Sequence, residues 1–210
     1  MHNHVLLFAT GTETGGATGA RSIVETLHAD PRTPTRIVGL VTNIKGGGAE
    51  ALAREYDLPY ICHDGGYTAE DYRGLFARFP DFDPERGLTV LCGWNKVIRG
   101  HVPHRTLNPH PGSLPQTRAL YDRAIHEQVI RLRLPQTHFY IHYATPRLDD
   151  GPYLFRKRMT VDADDTPELL RTRMQQIEHT WLSRVIEMVF SGEMGWNGGD
   201  PETVWGSISC

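Results

Sequence analysis

Val5-Leu6-Leu7-Phe8-Ala9 is a short apolar run that leads directly into a turn rich in glycine and threonine, Thr10–Gly19. The residues that follow, Ala20–His28, carry apolar side chains at the three- and four-residue spacing of a helix. A buried strand, a glycine-rich turn and a helix in this order are typical of an α/β fold. Because the apolar run has no basic leader and no cleavage site, we interpret it as a strand and not as a signal peptide.

The first half of the chain repeats this alternation of strands and helices. Further strands are predicted from continuous apolar runs, and helices from the amphipathic segments between them. The predicted strands are Arg36–Val41, Pro59–Cys62 and Leu88–Cys92, and the predicted helices are Ala49–Tyr56 and Thr68–Phe79. We therefore expect a Rossmann-like, mostly parallel sheet with helices on both faces. Ligands of such sheets bind beyond the carboxyl ends of the strands.

The second half of the chain has a different pattern. His138–Ala144 alternates between two faces, and Tyr153–Val161 follows it closely enough to be its antiparallel partner. A long helix is predicted to begin near Pro167 and to extend to Phe190, with a core stripe of apolar residues along it. The sequence thus predicts C-terminal antiparallel strands followed by one long helix.

Composition restricts the function. No repeat or linker is present, so we expect one domain over residues 1–195 and a flexible tail over residues 196–210. A net charge of −3 offers no electrostatic footprint for nucleic acid, and no apolar run approaches the length of a membrane span. The histidines are scattered and the cysteines are odd in number, so we expect no metal site and a reducing, cytoplasmic location. The cysteines are Cys62, Cys92 and Cys210.

Asn108-Pro109-His110-Pro111 is the segment with the most informative polar side chains. In an extended segment Asn108 and His110 lie on the same face, and the prolines favour extension because each restrains its own φ and the preceding residue. With Asp149 from a later turn, they supply the amide, imidazole and carboxylate needed to move an acyl group onto an amine. A proline-stiffened loop with an ordinary histidine, and a solvated Asp149-Asp150 pair, is the alternative that these residues leave open.

The glycine-rich turn after the first strand offers backbone amides at a helix N-terminus, which suit a phosphate. It lacks the lysine of a P-loop and a clean dinucleotide fingerprint, and Glu13 argues against a bound anion. An anion site and a simple tight turn between strand and helix both stay open. The residues predicted to bind in the first case are Gly11, Thr12, Gly15 and Gly16.

Two further segments have ambiguous patterns. Leu91–Ile98 leaves the fourth strand through a glycine and apolar residues, which suits a flat heterocycle, although packing of Trp94 into the core explains the same residues. On the long helix, Gln175 and Glu178 lie one turn apart and share a face. From these residues alone, a solvated helix face is the simpler interpretation of that pair.

Together the motifs resemble those of the 10-formyltetrahydrofolate-dependent formyltransferases. Asn108–Pro115 is similar to the family signature Asn-x-His-Pro-Ser-Leu-Leu-Pro, and Leu148–Pro152 is similar to its Leu-Asp-Gly-Gly turn. The resemblance covers most of the chain and is strongest toward the members that act on glycinamide ribonucleotide in purine synthesis. The other colinear segments, besides the first strand and its turn, are Val41–Asn43, Leu91–Trp94, Ile141–Tyr143 and Arg173–His179.

The resemblance implies a role for each matching residue. Asn108 and a protonated His110 would stabilise the charge on the formyl oxygen, while Asp149 would hold His110 or a water and help to move the amine proton. 10-Formyltetrahydrofolate would be the co-substrate, and a homodimer is left open. The pterin would lie against Lys96, Val97, Ile98, Ala144, Thr145 and Leu148. The acceptor amine would contact Glu178, Gln175, Pro109 and the glycine-rich turn.

Departures from the family pattern concern the acceptor more than the chemistry. The glycine-rich turn is longer than the family's and carries Glu13, Asp150 replaces one glycine of the Leu-Asp-Gly-Gly turn, and Gln116–Tyr121 replaces a Pro-Gly loop. Glycinamide ribonucleotide is therefore the leading acceptor, and an amino sugar or an ornithine-like hydroxylamine are the others. Hydrolysis of the formyl-folate and ligand binding without catalysis are competing functions. Retention of all three catalytic-type residues argues against the latter, and Glu178 argues for transfer over hydrolysis.

Overall fold

The computed structural model of the protein describes residues 2–13 and 15–210. Close contacts divide the chain into two compact units, residues 1–107 and residues 108–210. The boundary falls inside a strand, β5 (Thr106–His110), which gives its first two residues to one unit and its last three to the other.

The first unit is built on parallel strands. They are β1 (Asn3–Phe8), β2 (Thr35–Thr42), β3 (Tyr60–Cys62), β4 (Leu88–Leu91) and the start of β5, in the order β3-β2-β1-β4-β5. Val5, Leu6, Leu7 and Phe8 have no exposed surface, because β1 lies between β2 and β4 and is covered on both faces. The continuous apolar run at the start of the chain is therefore a central parallel strand, as predicted.

Helices connect the strands of the first unit. They are α1 (Thr18–Ile23), which continues into a π-helical turn at Val24–His28, α2 (Gly48–Glu55) and α3 (Ala69–Phe76). α3 begins with a reciprocal cap, in which the hydroxyl of Thr68 accepts the Asp71 amide and the Asp71 carboxylate accepts the Thr68 amide. Its buried rings, Tyr72 and Phe76, pack against Phe8 of β1. This contact fixes the helix on the central strand.

The second unit combines an antiparallel hairpin with two helices. Its elements are the end of β5, α4 (Arg123–Arg131), β6 (Gln136–Tyr143), β7 (Tyr153–Thr160), α5 (Pro167–Ser191) and β8 (Ile208–Ser209). The strand order is β5-β6-β7-β8; β6 and β7 are antiparallel, and β7 and β8 are parallel. α5 packs on the hairpin, where the ring of Trp181 stacks on Phe155 with centroids 4.6 Å apart. None of the helices in the described residues combines the length and apolarity that a bilayer crossing needs.

The predicted fold class is confirmed. The strands are mostly parallel with intervening helices, and the antiparallel strands and the long helix follow toward the C-terminus. The sequence did not predict α4 or β8. β8 lies within the predicted tail, residues 196–210, where Trp196 is buried and β8 pairs with β7. The single-domain organisation and the flexibility of the tail stay predictions.

Candidate active site

The end of β5 directs two polar side chains toward the turn between β6 and β7. Asn108 and His110 are two positions apart in an extended segment, so both point to the same side and both reach Asp149 of that turn. His110 is 3% exposed and Asp149 is 8% exposed. The structure confirms that Asn108 and His110 share a face, as their spacing predicts, and it also brings Asp149 to both of them. Their catalytic roles stay predictions at this point.

Asp149 is a buried carboxylate at the centre of the cluster. Its Oδ1 accepts a hydrogen bond of 3.1 Å from Nδ2 of Asn108, and its Oδ2 accepts one of 2.9 Å from the backbone N–H of Ala119. Nδ1 of His110 and Nε2 of His142 each lie 3.7 Å from one of its oxygens. Burial favours the neutral acid, but the surrounding contacts, among them the hydrogen bond from the Ala119 N–H, outweigh it and lower the pKa of Asp149. The carboxylate is therefore ionised at neutral pH.

The backbone at both ends of one of these hydrogen bonds is strained. Asp149 has a φ of +48° and Ala119 a φ of +62°, which are left-handed conformations that side chains rarely adopt. Such conformations cost about 1–3 kcal/mol each and persist where the surroundings enforce them, often at functional sites. The bond from the Ala119 amide to the Asp149 carboxylate holds two strained residues against each other.

His110 lies in a nearly dry environment. Its Nε2 lies 2.9 Å from the hydroxyl of the fully buried Thr117, and its Nδ1 faces Asp149. Burial lowers the pKa of His110 to about 4, even though the charge of Asp149 raises it. The expectation that the adjacent carboxylate keeps His110 protonated at neutral pH is therefore wrong for the unliganded protein. Desolvation of the cation is the larger effect, so the imidazole is neutral.

His142 completes the cluster from β6. Its Nε2 accepts the second N–H of the Asn108 amide at 3.1 Å, and its Nδ1 donates to the backbone carbonyl of Tyr143 at 3.0 Å. Gly151 lies against the same carbonyl: a Cβ atom at this position would lie 1.8 Å from the Tyr143 oxygen. Both hydrogens of the Asn108 amide are thus directed, one at an imidazole and one at the Asp149 carboxylate.

Sequence reasoning gave no role to His142, Thr117 or Ala119. Alternation along the strand places His142 on the polar face of the hairpin, and this signal was available. Thr117 and Ala119 carry no such signal, because their contacts depend on the path of an irregular segment between β5 and α4.

The two adjacent aspartates have different environments. Asp149 is buried, whereas Asp150 is exposed, pairs with the guanidinium of Arg118 and lies 3.7 Å from that of Arg147. The solvated interpretation is therefore correct for Asp150 alone. A cleft of about 310 Å³ is lined in part by Asp149, while Asn108 and His110 are not among its lining residues. Its other lining residues are Leu114, Pro115, Arg118, Tyr140, His142, Asp150, Gly151, Tyr153 and Arg156.

The predicted folate contacts fall in both units. In the first unit, the ammonium of Lys96 lies 5.3 Å from the ring centre of Tyr67, Val97 is 36% exposed and Ile98 is buried. Trp94, just before them, packs on Phe8 and donates to the Tyr72 hydroxyl at 3.0 Å, so it belongs to the core. In the second unit, the predicted contacts lie after β6: Ala144 is buried, Thr145 bonds the Arg147 carbonyl and Leu148 is 45% exposed.

The glycine-rich turn closes on itself. Thr12 and Gly15 exchange backbone hydrogen bonds of 2.8 and 3.4 Å, and Gly11 and Gly16 have φ values of +68° and +77°. The Gly48 amide donates to the Thr12 carbonyl at 3.0 Å. Two turn amides are thus used within the turn, which favours the tight-turn interpretation for those positions. Thr14 lies outside the described residues, and the anion site stays a prediction.

The predicted acceptor contacts of the second unit lie on β5 and α5. Pro109 is part of β5 between the two catalytic-type residues, while Gln175 and Glu178 share one face of α5. Glu178 is half-buried, and burial raises the pKa of its carboxyl group to about 7. No cation of the described residues lies within ion-pair distance of it. A half-buried carboxyl group with a raised pKa and no ion-pair partner among the described residues is suited to binding a cationic or hydrogen-bonding ligand.

Comparison with known proteins identifies the family. A family model described as formyl transferase matches residues 75–186, which is just over half of the chain. The matched segment includes the end of β5, β6, the Asp149 turn and most of α5. The chain belongs to the formyl transferase family.

Curated relatives of this formyl transferase include phosphoribosylglycinamide formyltransferases. The chloroplastic protein of Arabidopsis thaliana is 28% identical over 191 residues, which is 87% of this chain and 65% of the relative. The protein of Escherichia coli (strain K12) is 27% identical over 111 residues, 51% of this chain and 51% of the relative. The chain therefore spans about half to two thirds of the length of these relatives.

Solved structures show that the fold is shared. The phosphoribosylglycinamide formyltransferase of Coxiella burnetii superimposes with a TM-score of 0.79 at 22% identity, covering 94% of this chain and 91% of that one. The enzyme of the same name from Bacillus halodurans gives a TM-score of 0.77 at 24% identity, covering 90% and 96%. The formyl transferase fold predicted from the sequence is thus confirmed.

Substitution of Gly151 tests the packing behind His142. In Gly151→Ala the new methyl group overlaps the Tyr143 carbonyl oxygen, so the turn must shift, and we expect a loss of roughly 1–3 kcal/mol in the free energy of unfolding. The matched control is Gly74→Ala in α3, where a Cβ meets no atom within 4 Å. That variant should gain roughly 0.5–1 kcal/mol, because alanine favours a helix over glycine. Urea denaturation of both variants measures the difference; equal stabilities would contradict the predicted overlap.

Proposed function

We propose that this formyl transferase moves a formyl group from 10-formyltetrahydrofolate to the primary amine of a small substrate, with glycinamide ribonucleotide as the leading acceptor. The observation that carries the proposal is the buried cluster of Asn108, His110 and Asp149, in which an ionised carboxylate orients an amide and faces a neutral imidazole. Formyl transfer to an amine needs a hydrogen-bond donor for the developing oxyanion and a group that moves one proton. The cluster supplies both.

The proposed folate contacts of each unit, taken separately, include exposed apolar surface. Val97 and Leu148 expose apolar surface, and the lysine at position 96 offers a cation already placed over an aromatic ring. The co-substrate supplies the formyl group: the amine nitrogen bonds to the formyl carbon, the bond from that carbon to the folate nitrogen breaks, and one proton passes from amine to folate nitrogen. Lys96, Val97, Ile98, Ala144, Thr145 and Leu148 are the proposed contacts.

Asn108 is the proposed donor to the formyl oxygen. Its amide already points one hydrogen at Asp149 and the other at the neutral imidazole of His142. A developing oxyanion accepts a hydrogen bond more strongly than a neutral nitrogen does, so the second hydrogen can turn from His142 to the substrate while the first stays on Asp149. One such donor contributes roughly 3–4 kcal/mol to the transition state in acyl-transfer enzymes.

His110 is the proposed group that moves the proton. The imidazole is neutral before the reaction, so it can take up the proton that the attacking amine must lose. The resulting cation lies beside Asp149, whose negative charge is 3.7 Å from Nδ1 and stabilises it. His110 then returns the proton to the leaving nitrogen, and Asp149 stays ionised throughout.

The acceptor amine is proposed to bind Glu178, with Gln175 beside it on α5 and Pro109 on β5. The raised pKa of Glu178 and the lack of any ion-pair partner among the described residues support this assignment. The glycine-rich turn, through Gly11, Thr12, Gly15 and Gly16, is proposed to contact the phosphate end of the acceptor.

The cysteines at positions 62, 92 and 210 are free thiols, which supports a cytoplasmic location.

A direct assay tests the proposed activity. The protein is mixed with 10-formyltetrahydrofolate and either glycinamide ribonucleotide or a panel of other primary amines, and folate release is followed by absorbance. Mass spectrometry then identifies the formylated product. Formylated amine supports transfer, and its identity selects the acceptor. Free formate without formylated amine, or no folate release with any acceptor, would refute formyl transfer.

Replacement of the cluster residues should abolish turnover without unfolding the protein. We expect kcat to fall by about 100-fold or more in His110→Ala and in Asp149→Asn, because the proton transfer step is lost. Asp164→Asn is the matched control: this exposed carboxylate lies between β7 and α5, outside the cluster and the lining of the cleft, so turnover should stay within about threefold of wild type. Steady-state kinetics and circular dichroism check both points. Near-wild-type rates in the first two variants would remove their catalytic assignment.

The charge of Glu178 should control affinity for the amine. We expect Glu178→Gln to raise the KM for the amine by about tenfold above pH 7, where the wild-type carboxylate is ionised, and to leave the KM for folate unchanged. Below about pH 6 wild-type Glu178 is protonated, so the KM for the amine of the variant divided by that of the wild type should approach one. Titration of the amine itself changes both KM values equally and therefore does not affect this ratio.

Glu187→Gln, also on α5, serves as the control for loss of a carboxylate from this helix. A pH-independent ratio, or a change confined to the KM for folate, would contradict the proposed amine contact.

A further inference from the structure

Thr117 makes a buried contact with His110 that no step of the proposed reaction uses. The residue has no exposed surface and lies in the irregular segment between β5 and α4. Its Oγ1 is 2.9 Å from Nε2 of His110 and also 2.9 Å from the backbone carbonyl oxygen of Ser113. The Thr117 backbone N–H reaches the same carbonyl at 2.9 Å, so the segment holds the hydroxyl in place.

The number of hydrogens decides the direction of each bond. A threonine hydroxyl has one hydrogen, and a carbonyl oxygen can only accept. If the hydroxyl donates to the Ser113 carbonyl and accepts from Nε2 of His110, both contacts carry a hydrogen; the reverse direction would leave the hydroxyl and carbonyl oxygens 2.9 Å apart with no hydrogen between them. A neutral imidazole carries a single N–H. With Nε2 protonated, Nδ1 has the lone pair.

We propose that Thr117 is a positioning residue for formyl transfer: its hydroxyl holds His110 in the Nε2–H tautomer and leaves the Nδ1 lone pair, beside Asp149, as the base. The proposal rests on the proposed function, because it assigns which nitrogen of His110 takes the proton. In the balanced step, the proton leaves the amine nitrogen, binds Nδ1 and then moves to the departing nitrogen. The Nε2 hydrogen stays on Thr117 throughout.

The contact matters because the electrostatics around His110 favour the opposite tautomer. Asp149 lies 3.7 Å from Nδ1, and its negative charge attracts an N–H to that position. The other titratable groups facing His110 are His142 on β6 and His126 on α4. His142 uses Nε2 to accept from Asn108 and Nδ1 to donate to a carbonyl, which is the pattern of a neutral ring.

Burial lowers the pKa of His126 to about 4, so it is also uncharged at neutral pH. Asp149 is then the one charged group of the described residues that faces His110. Without the Thr117 acceptor, its charge turns the Nδ1–H toward the carboxylate, and the base is lost. The hydroxyl therefore opposes the one electrostatic preference that would inactivate His110.

Two variants at this position and one control test the proposal kinetically. Thr117→Val keeps the shape and removes the acceptor, so we expect kcat to fall by roughly 10- to 100-fold, less than the roughly 100- to 10,000-fold that general acid–base catalysis contributes in full. The KM values for both substrates should stay within about twofold, because Thr117 touches neither. Thr117→Ser restores the hydroxyl and should restore kcat. Thr137→Val removes another fully buried hydroxyl, bonded to Ser113 and not to His110, and should leave kcat unchanged.

Nitrogen-15 NMR of the histidine side chains reads the tautomer without any substrate. Two-bond proton–nitrogen correlations should show His110 as Nε2–H in the wild type and in Thr117→Ser, and as Nδ1–H in Thr117→Val. An Nδ1–H tautomer in the wild type overturns the proposal, and so does a Thr117→Val protein with unchanged tautomer or unchanged kcat. If Thr117→Val does not fold, the tautomer of His110 in the wild type and in Thr117→Ser still tests the proposal.

The spectra also separate this proposal from the proposed function. The protein could transfer no formyl group and still show Nε2–H in the wild type and Nδ1–H in Thr117→Val. That result would refute the proposed reaction but support the control of the His110 tautomer by Thr117. Formyl transfer by a wild-type protein in which His110 is the Nδ1–H tautomer would refute the role of Thr117 but support the proposed reaction.

Discussion

A carboxylate removed from water stays ionised only where hydrogen-bond donors replace its hydration, and the candidate site depends on this constraint at Asp149. The amide of Asn108 and the backbone N–H of Ala119 supply those donors. The same bonds fix the orientation of the Asn108 amide and hold two residues in left-handed backbone conformations. His110 then lies beside a fixed negative charge while it is itself neutral, which is the state that a proton acceptor requires.

Much of this arrangement could be predicted from the sequence, because it depends on local rules. Continuous apolar runs identified the central strands, and Pro109 and Pro111 identified an extended segment that aligns Asn108 with His110. The neutral state of His110 could not be predicted, since it depends on how completely the folded chain excludes water. Ala119 and Thr117 were missed because an irregular segment, not a periodic element, brings them to the site. α4 was missed as well, as was β8, whose two residues are too few for a periodic pattern.

Two of the three departures from the family pattern, Gln116–Tyr121 and Asp150, lie beside the buried cluster. The segment Gln116–Tyr121, which differs from the family's Pro-Gly loop, supplies both Thr117 and Ala119, the partners of His110 and Asp149. Asp150 replaces a glycine and pairs with Arg118 of that same segment. These contacts tie the segment to the turn between β6 and β7. The altered residues of this segment and turn therefore support the buried cluster to which we assign the chemistry.

Neutron diffraction at neutral pH tests the protonation states of Asp149 and His110 directly, because it locates hydrogen and deuterium atoms in the cluster. We expect no deuterium on Asp149, one on the imidazole of His110, and the two Asn108 amide deuterons directed at Asp149 and His142. A deuterium on the Asp149 carboxyl group, or two on His110, would contradict this expectation. Either result would mean that the buried carboxylate does not orient a neutral imidazole and an amide for proton and oxyanion chemistry.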